Sequence, residues 1–229
     1  MGRYVPLLGV ASALAAFLQT ASAQDNPQGT QVLPTIVVSP TTIPTPESEV
    51  ASSITVITSA DIERQQYRTV PDALSAVPGL NVVQSGGPGG QTSVFIRGTN
   101  SNQVKVLIDG IDASDPSTPN GAFDFAHLLT GDIAQIEVLR GPQSGLYGSD
   151  AIGGVISITT KKGEGPAKVT ATLEGGSFQT FNQTAALSGS EGRFNYAFYV
   201  LHYHAGSVPV TPLNLLAPGV QRNNDNYDN

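Results

Sequence analysis

The chain has 229 residues, a formal net charge of −7, three histidines and no cysteine. An acidic chain without a basic patch argues against nucleic acid as a partner, and the absence of cysteine excludes a disulfide framework, so stability has to come from burial. With 25 glycines, 16 prolines and 13 % charged residues, it is rich in turns and poor in solvated helix faces, which points to a β-dominated protein of the bacterial envelope.

Arg3 supplies a positive start, "VPLLGVASALAAFL" an apolar core and Ala21-Ser22-Ala23 a small-x-small cleavage site. Residues 1–23 therefore read as a signal peptide, too short and wrongly flanked for a spanning helix. From Gln24 to Ser53 there is no lysine or arginine, and proline recurs at 27, 34, 40, 44 and 46. Such a segment cannot bury enough apolar surface to offset the entropy of ordering, so residues 24–53 read as a flexible leash. One β-favouring island interrupts it: Thr35, Ile36, Val37 and Val38, followed by Ser39 and Pro40. It suits strand addition to a partner's sheet edge, where main-chain hydrogen bonds supply the affinity. Docking as a strand on the chain's own domain is the other reading.

From Ile54 the texture becomes globular. "ITVIT" alternates as a strand. A short helix is expected at Ser59-Ala60-Asp61, with Ser59 as its cap, and a second after Thr69-Val70-Pro71, stopping at Pro78-Gly79. Further strands are expected at 82–84, 94–97, 104–109, 133–140 and 155–160. Residues 54–162 thus read as a small α+β domain, a mixed sheet with short helices, large enough for its own core.

After Gly165 three segments of about ten residues, "AKVTATLEGG", "QTFNQTAALSGS" and "RFNYAFYVLHYHAG", are joined by short turns. In the third, Phe194, Tyr196, Phe198 and Val200 share one face, against Asn195, Ala197, Tyr199 and Leu201 on the other. Length and alternation fit antiparallel transmembrane β-strands, although soluble meander strands look similar.

Candidate chemistry is sparse. Asp109, Asp112 and Asp115 have no partnering histidine or nucleophile, and their spacing misses a calcium-loop pattern. "GPQSG" is not a nucleophile elbow. His202 and His204 share a strand face but lack a third metal ligand. No enzyme is expected.

Several stretches carry a resemblance: "PTIVVSP", "PDALSAVPGL", "FIRGTN", "VKVLIDGI" and "IAQIEVLRGPQSGLYGSDAIGGVISITTK". Together they resemble the plug domain of TonB-dependent outer-membrane receptors, and within that family the cobalamin (vitamin B12) receptors most. The resemblance implies a plug threaded inside a 22-stranded barrel of the outer membrane. It makes Thr35 to Ser39 the box that engages the TonB energising complex, and a metal chelate the ligand: a corrinoid ahead of a ferric siderophore. A barrel-less periplasmic binding module is the third reading. Residues 163–229 would then open the barrel, and a barrel of that size needs on the order of 220 strand residues, so the chain is expected to stop before the barrel closes.

The same resemblance places ligand contacts at Gln91, Ser93, Asn100, Thr118 and Pro119. It places calcium ligands at Gln221, Asn223 and Asp225, with a flexible acidic loop as the competing reading. No other cofactor is expected. Gly148, Gly153 and Gly154, in a glycine-dense stretch, are expected to let main chain pack closely against the wall. Arg97 and Arg140 are expected to pair with carboxylates, either on the wall or locally with Asp109 or Glu137.

Overall fold

The structure is a computed structural model that describes residues 36–37, 45–46, 53–118, 120–208, 215–217, 219 and 225–229. The expected signal peptide and most of the leash lie outside the described residues. Within the leash, β1 (Ile36–Val37) and β2 (Thr45–Pro46) pair antiparallel, Ile36 opposite Pro46 and Val37 opposite Thr45.

Alternating β-branched residues form β3 (Ser53–Thr58), and the chain turns directly into α1 (Ser59–Gln65). Thr58, not Ser59, is the cap. The Asp61 N–H donates to the Thr58 hydroxyl at 3.2 Å, and the Thr58 N–H donates to the Asp61 carboxylate at 3.0 Å. Serine and threonine cap almost equally well, so the reciprocal bond decides, and it needs an acid three residues on. Asp61 meets that condition for Thr58, whereas Ser59 would face Ile62. α2 (Val70–Ser75) repeats the arrangement with Thr69 and Asp72, takes Pro71 in its first turn, and buries Val70, Ala73 and Leu74 fully.

β4 (Leu80–Gln84) and β5 (Thr92–Ile96) form a separate antiparallel hairpin. A 3₁₀ turn at Ser101–Gln103 then leads into β6 (Val104–Ile108), followed by β7 (Ile111–Asp112), β8 (Ile133–Arg140) and β9 (Gly154–Thr160). These four strands join β3 in a five-stranded sheet of order β3-β8-β9-β6-β7, in which β6 and β9 run parallel and the other pairs antiparallel. A single helical turn, α3 (Ser144–Tyr147), lies between β8 and β9 inside the glycine-dense stretch.

The two central strands are covered on both faces. One face packs Ile136, Val138, Ile156 and Ile158 against residues of α1, α2 and the hairpin, among them Ile62, Leu74, Val94 and Ile96. The other holds a smaller cluster of Leu139, Ala151 and Val155. Burying each such aliphatic side chain is worth about 2 kcal/mol. Glu137 is also buried, and it accepts a hydrogen bond from Gln135 Nε2 at 2.7 Å.

β10 (Lys168–Gly175), β11 (Phe181–Glu191), β12 (Phe194–Val208) and β13 (Asp225–Asp228) make a second sheet, antiparallel throughout and in chain order. The register puts Val169 opposite Leu187, Leu187 opposite Phe198 and Ala185 opposite Val200, so these residues share one face. That face is open: Val169 is 77 % exposed and Val200 70 %. The opposite face, with Thr170, Thr172, Thr184, Tyr199 and Leu201, turns toward the α+β domain. The alternation expected for the third segment is therefore present, and β13 adds a strand that its four residues were too few to announce.

Candidate functional site

The β4–β5 connection, residues 85–90, is folded on itself. The Ser85 N–H donates to the Gln91 carbonyl at 2.9 Å, the Gly90 N–H to the Gly87 carbonyl at 3.0 Å, and Gln84 Nε2 to the same Gly87 oxygen at 2.7 Å. A Cβ on Gly90 would lie 1.9 Å from the Ser85 carbonyl oxygen, so the turn closes only around glycine. Gln91 is exposed where this loop ends, and Ser93 is half-buried on β5. Between them Thr92 is fully buried, and its N–H donates to Asp124 Oδ1 at 2.8 Å. The same carboxylate oxygen accepts from the Ala126 N–H at 3.0 Å.

Asn100 is exposed and opens the 3₁₀ turn, its N–H donating to Gln103 Oε1 at 3.1 Å. The nearby Asn102 lines a small cavity of about 100 Å³ together with Ser114, Asn120, Gly121 and Asp150. The Thr118 hydroxyl donates to the Asp115 carbonyl at 3.0 Å, while Pro119 lies outside the described residues. Segment 113–126 bonds to the edge holding Gln91 through Asp124, and through Ser114 and Asn120 it shares the small cavity with Asn102 of the Asn100 loop. The structure joins the three candidate loops into one surface whose candidate contacts are neutral and polar, chemistry that suits hydrogen bonding to a ligand rather than bond making.

The acids near this surface serve the fold. Asp109 accepts from the Thr160 N–H and hydroxyl at 2.9 and 2.7 Å, and Asp115 from the Ser117 N–H and hydroxyl at 2.8 and 2.7 Å. Asp112 pairs with Lys105 and accepts from the Ser114 hydroxyl at 2.7 Å. The Lys105 ammonium, with those Ser114 donors, lowers the Asp112 carboxyl from 3.8 to about 2.

Two expectations about packing change. A Cβ on Gly153 would sit 2.2 Å from Thr99 Oγ1, and one on Gly154 would sit 2.3 Å from the Leu139 carbonyl oxygen. Both glycines are needed for close approach, but within the α+β domain rather than against the second sheet. Gly148 has nothing within 4 Å and a φ of +86°, so it serves a turn. Contacts between the α+β domain and the second sheet fall on other glycines: Gly131 lies under Leu201, and Gly89 against Tyr227. Dense glycine marked the right kind of constraint; which neighbour it admitted depends on the tertiary arrangement.

The arginines do not find the local acids. Arg140 donates to the Pro78 carbonyl at 2.7 Å and to Thr55 Oγ1 at 2.8 Å, while its buried Nε has no partner among the described residues. Arg97, exposed and at a φ of 50°, lies with Arg140 beside Gly79. Neither forms an ion pair among the described residues, and Asp109 and Glu137 bond elsewhere. The local pairing is thus overturned.

Between the α+β domain and the second sheet lies a polar cleft of about 600 Å³, lined by Lys161, Thr130, Thr172 and Thr184 among others. Arg68 crosses it to Glu174 at 2.7 Å. Burial raises the carboxyl of nearby Asp132, with Lys161 opposing. On the outer face, His204 Nδ1 lies 2.6 Å from Asp228 Oδ1 and His202 Nε2 3.8 Å from it. Among the described residues no group of three or more His, Asp or Glu is arranged to hold a metal ion. The expected calcium ligands Gln221 and Asn223 lie outside the described residues, and Asp225 opens β13, with its backbone opposite Val208.

Tyr227, Asp124 and His127 escaped the sequence reading. The run "GGPGG" was the available signal, since so much glycine in one loop calls for an outside contact to order it.

The TonB-dependent receptor plug domain family model matches residues 46–155. The chain is 41 % identical over 162 residues to the vitamin B12 transporter BtuB of Vibrio vulnificus, covering 71 % of this chain and 26 % of that protein. It therefore spans about a quarter of the length of that relative. The ferripyoverdine receptor of the Pseudomonas aeruginosa outer membrane superposes with a TM-score of 0.63 at 21 % identity, covering 76 % of this chain and 23 % of the other. The siderophore receptor PiuA from Acinetobacter baumannii gives a TM-score of 0.59 at 25 % identity, covering 71 % and 22 %. The α+β domain is thus a plug and the antiparallel sheet the start of the wall beside it: the chain belongs to the TonB-dependent receptors of the outer membrane.

Proposed function

We propose that the protein takes part in energised uptake of a corrinoid, with the plug's three joined loops as its ligand surface. The observation that carries this reading is the 41 % identity to a vitamin B12 transporter over 162 residues, 71 % of this chain. The likeness to the ferripyoverdine receptor, at 21 % identity, speaks for the fold alone. Neutral polar contacts at Gln91, Ser93, Asn100 and Thr118 suit a bulky ligand rich in amides, and Pro119 extends the same loop. The apolar outer face of β10 to β12 meets lipid, because Val169, Leu173, Phe198 and Val200 have no other cover.

Ile36 and Val37 supply the strand that a TonB-type energising protein pairs with, within the box Thr35 to Ser39. Among the described residues β1 pairs only with β2, and strand addition at its other edge is the pairing proposed here.

Calorimetry on the protein in outer-membrane extracts tests the substrate. A corrinoid is expected to bind more tightly than any ferric siderophore offered, and the reverse order would overturn the assignment. Ile36→Pro is expected to abolish uptake of labelled corrinoid while leaving its binding intact, since proline removes the N–H that strand pairing uses. Normal uptake by that variant would remove the box assignment.

A further inference from the structure

Residues 85–90 carry four glycines in six positions, and glycine loses more conformational freedom on ordering than any other residue. Internal bonds close the turn, and from the plug the Thr92 hydroxyl donates to the Gly90 carbonyl at 2.8 Å, at the loop's far end from Gly86. The middle of the loop is covered by a wall residue. Tyr227 of β13 is 6 % exposed, and its ring lies so close over Gly89 that a Cβ there would be 2.1 Å from it. The ring also stacks on His127, with centroids 5.7 Å apart and planes 22° from parallel, and meets Tyr203 edge-on at 6.0 Å.

The Tyr227 hydroxyl lies 3.1 Å from His127 Nδ1 and donates to the Ala126 carbonyl at 3.4 Å. Asn229, two residues on, holds the strand in place. Asn229 exchanges backbone hydrogen bonds with Tyr203 at 2.8 and 3.0 Å, and Asn229 Nδ2 donates to the His127 carbonyl at 2.9 Å. One ring therefore touches both ends of a continuous connection. It covers the glycine loop directly and grips segment 126–127, whose Ala126 N–H shares Asp124 with Thr92. Thr92 lies between Gln91 and Ser93.

The geometry points to Tyr227 as a positioning residue: carried by the wall, it holds the plug's glycine loop and the Gln91–Ser93 edge in the shape that receives ligand. It never needs to touch the ligand. This inference rests on the corrinoid-uptake reading for its ligand, but not for the strut itself.

The test uses the whole protein as the cell makes it, in outer membranes, with a nitroxide attached at Ser85→Cys on the exposed side of the loop. Tyr227→Ala is expected to free the label's motion and to weaken corrinoid binding about tenfold, with the amount assembled in the membrane unchanged. Tyr227→Phe keeps the ring over Gly89 but loses the hydroxyl, and should weaken binding a few-fold, about threefold, with the label still restrained. Should Tyr227→Ala fail to assemble, Tyr227→Leu, which keeps bulk without stacking or a hydroxyl, is expected to show its effects.

A label as immobile in Tyr227→Ala or Tyr227→Leu as in the parent, with corrinoid affinity unchanged, would overturn the strut and leave the uptake reading standing. A label freed by the substitution in a protein whose parent form binds no corrinoid would support the strut and sink the ligand assignment instead.

Discussion

The plug and the wall spend the same residue types in opposite ways. Val155 and Ile156 of β9 are fully buried in the middle of a five-stranded sheet, whereas Val169 and Val200 of the wall strands are 77 % and 70 % exposed. In the plug, buried polar groups are answered one by one, as Thr92 is by Asp124, with Arg140 Nε the exception among the described residues. In the wall Thr170, Thr172 and Thr184 share one face and line a cleft, while Val169, Leu187, Phe198 and Val200 share the other. The contrast teaches that period-2 alternation fixes which residues lie together, not which set is hidden. What lies across from each face decides that.

The widest separation between the two regions should come from deleting aliphatic groups. Ile156→Ala is expected to cost about 2–5 kcal/mol of unfolding free energy, and Val200→Ala less than about 0.5 kcal/mol. Denaturant titration of the bilayer-embedded protein measures both, and equal losses would erase the distinction.

A charge on either wall face sharpens it next. Val200→Arg should cost about 2–4 kcal/mol if that face meets lipid, and Thr184→Arg on the cleft side well under half as much. A wall that tolerates both alike would mean its outer face is covered by something other than lipid.

Smaller effects probe the plug itself. Gly153→Val, which drives a side chain into Thr99 and the Gln103 carbonyl, is expected to cost about 1–3 kcal/mol and to lower assembly without altering ligand choice. Thr69→Ala removes the cap of α2 and should cost about 1 kcal/mol.

The least effect is electrostatic. Asp112 titrates at about 2 rather than 3.8. A depressed carboxylate pKa means its contribution is complete above pH 3.8 and is lost as pH falls toward 2. Carboxyl NMR should place the midpoint near that value in the parent and raise it in Lys105→Ala.

Much of this was legible in order along the chain. The strand at 133–140 and the two capped helices were read from local pattern because alternation, an oxygen-bearing cap and a proline in the first turn act over a few residues. The cap of α1 slipped by one because two neighbouring residues both qualify, and only the position of Asp61 separates them. Gln91, Ser93, Asn100 and Thr118 were proposed one at a time. That segment 113–126 ties their loops together was not readable, since Asp124 gives no hint in sequence that it answers Thr92.

The arginine partners failed for a similar reason. Asp109 and Glu137 were credible by charge, but Asp109 closes a turn onto Thr160 and Glu137 is taken up beside Gln135.

By itself the sequence determined the succession of parts: an expected export signal and leash, an α+β domain, then strands alternating in a membrane-like pattern. Those properties follow from composition and from periodicities of two to four residues, which no distant contact has to supply. Only the tertiary structure decided that Gly153 and Gly154 pack inside the plug, that Gly89 sits beneath Tyr227, and that Arg97 and Arg140 lie together without an ion pair among the described residues. Each of those outcomes depends on which segments meet in space, and close approach of that kind leaves no period in the chain to read.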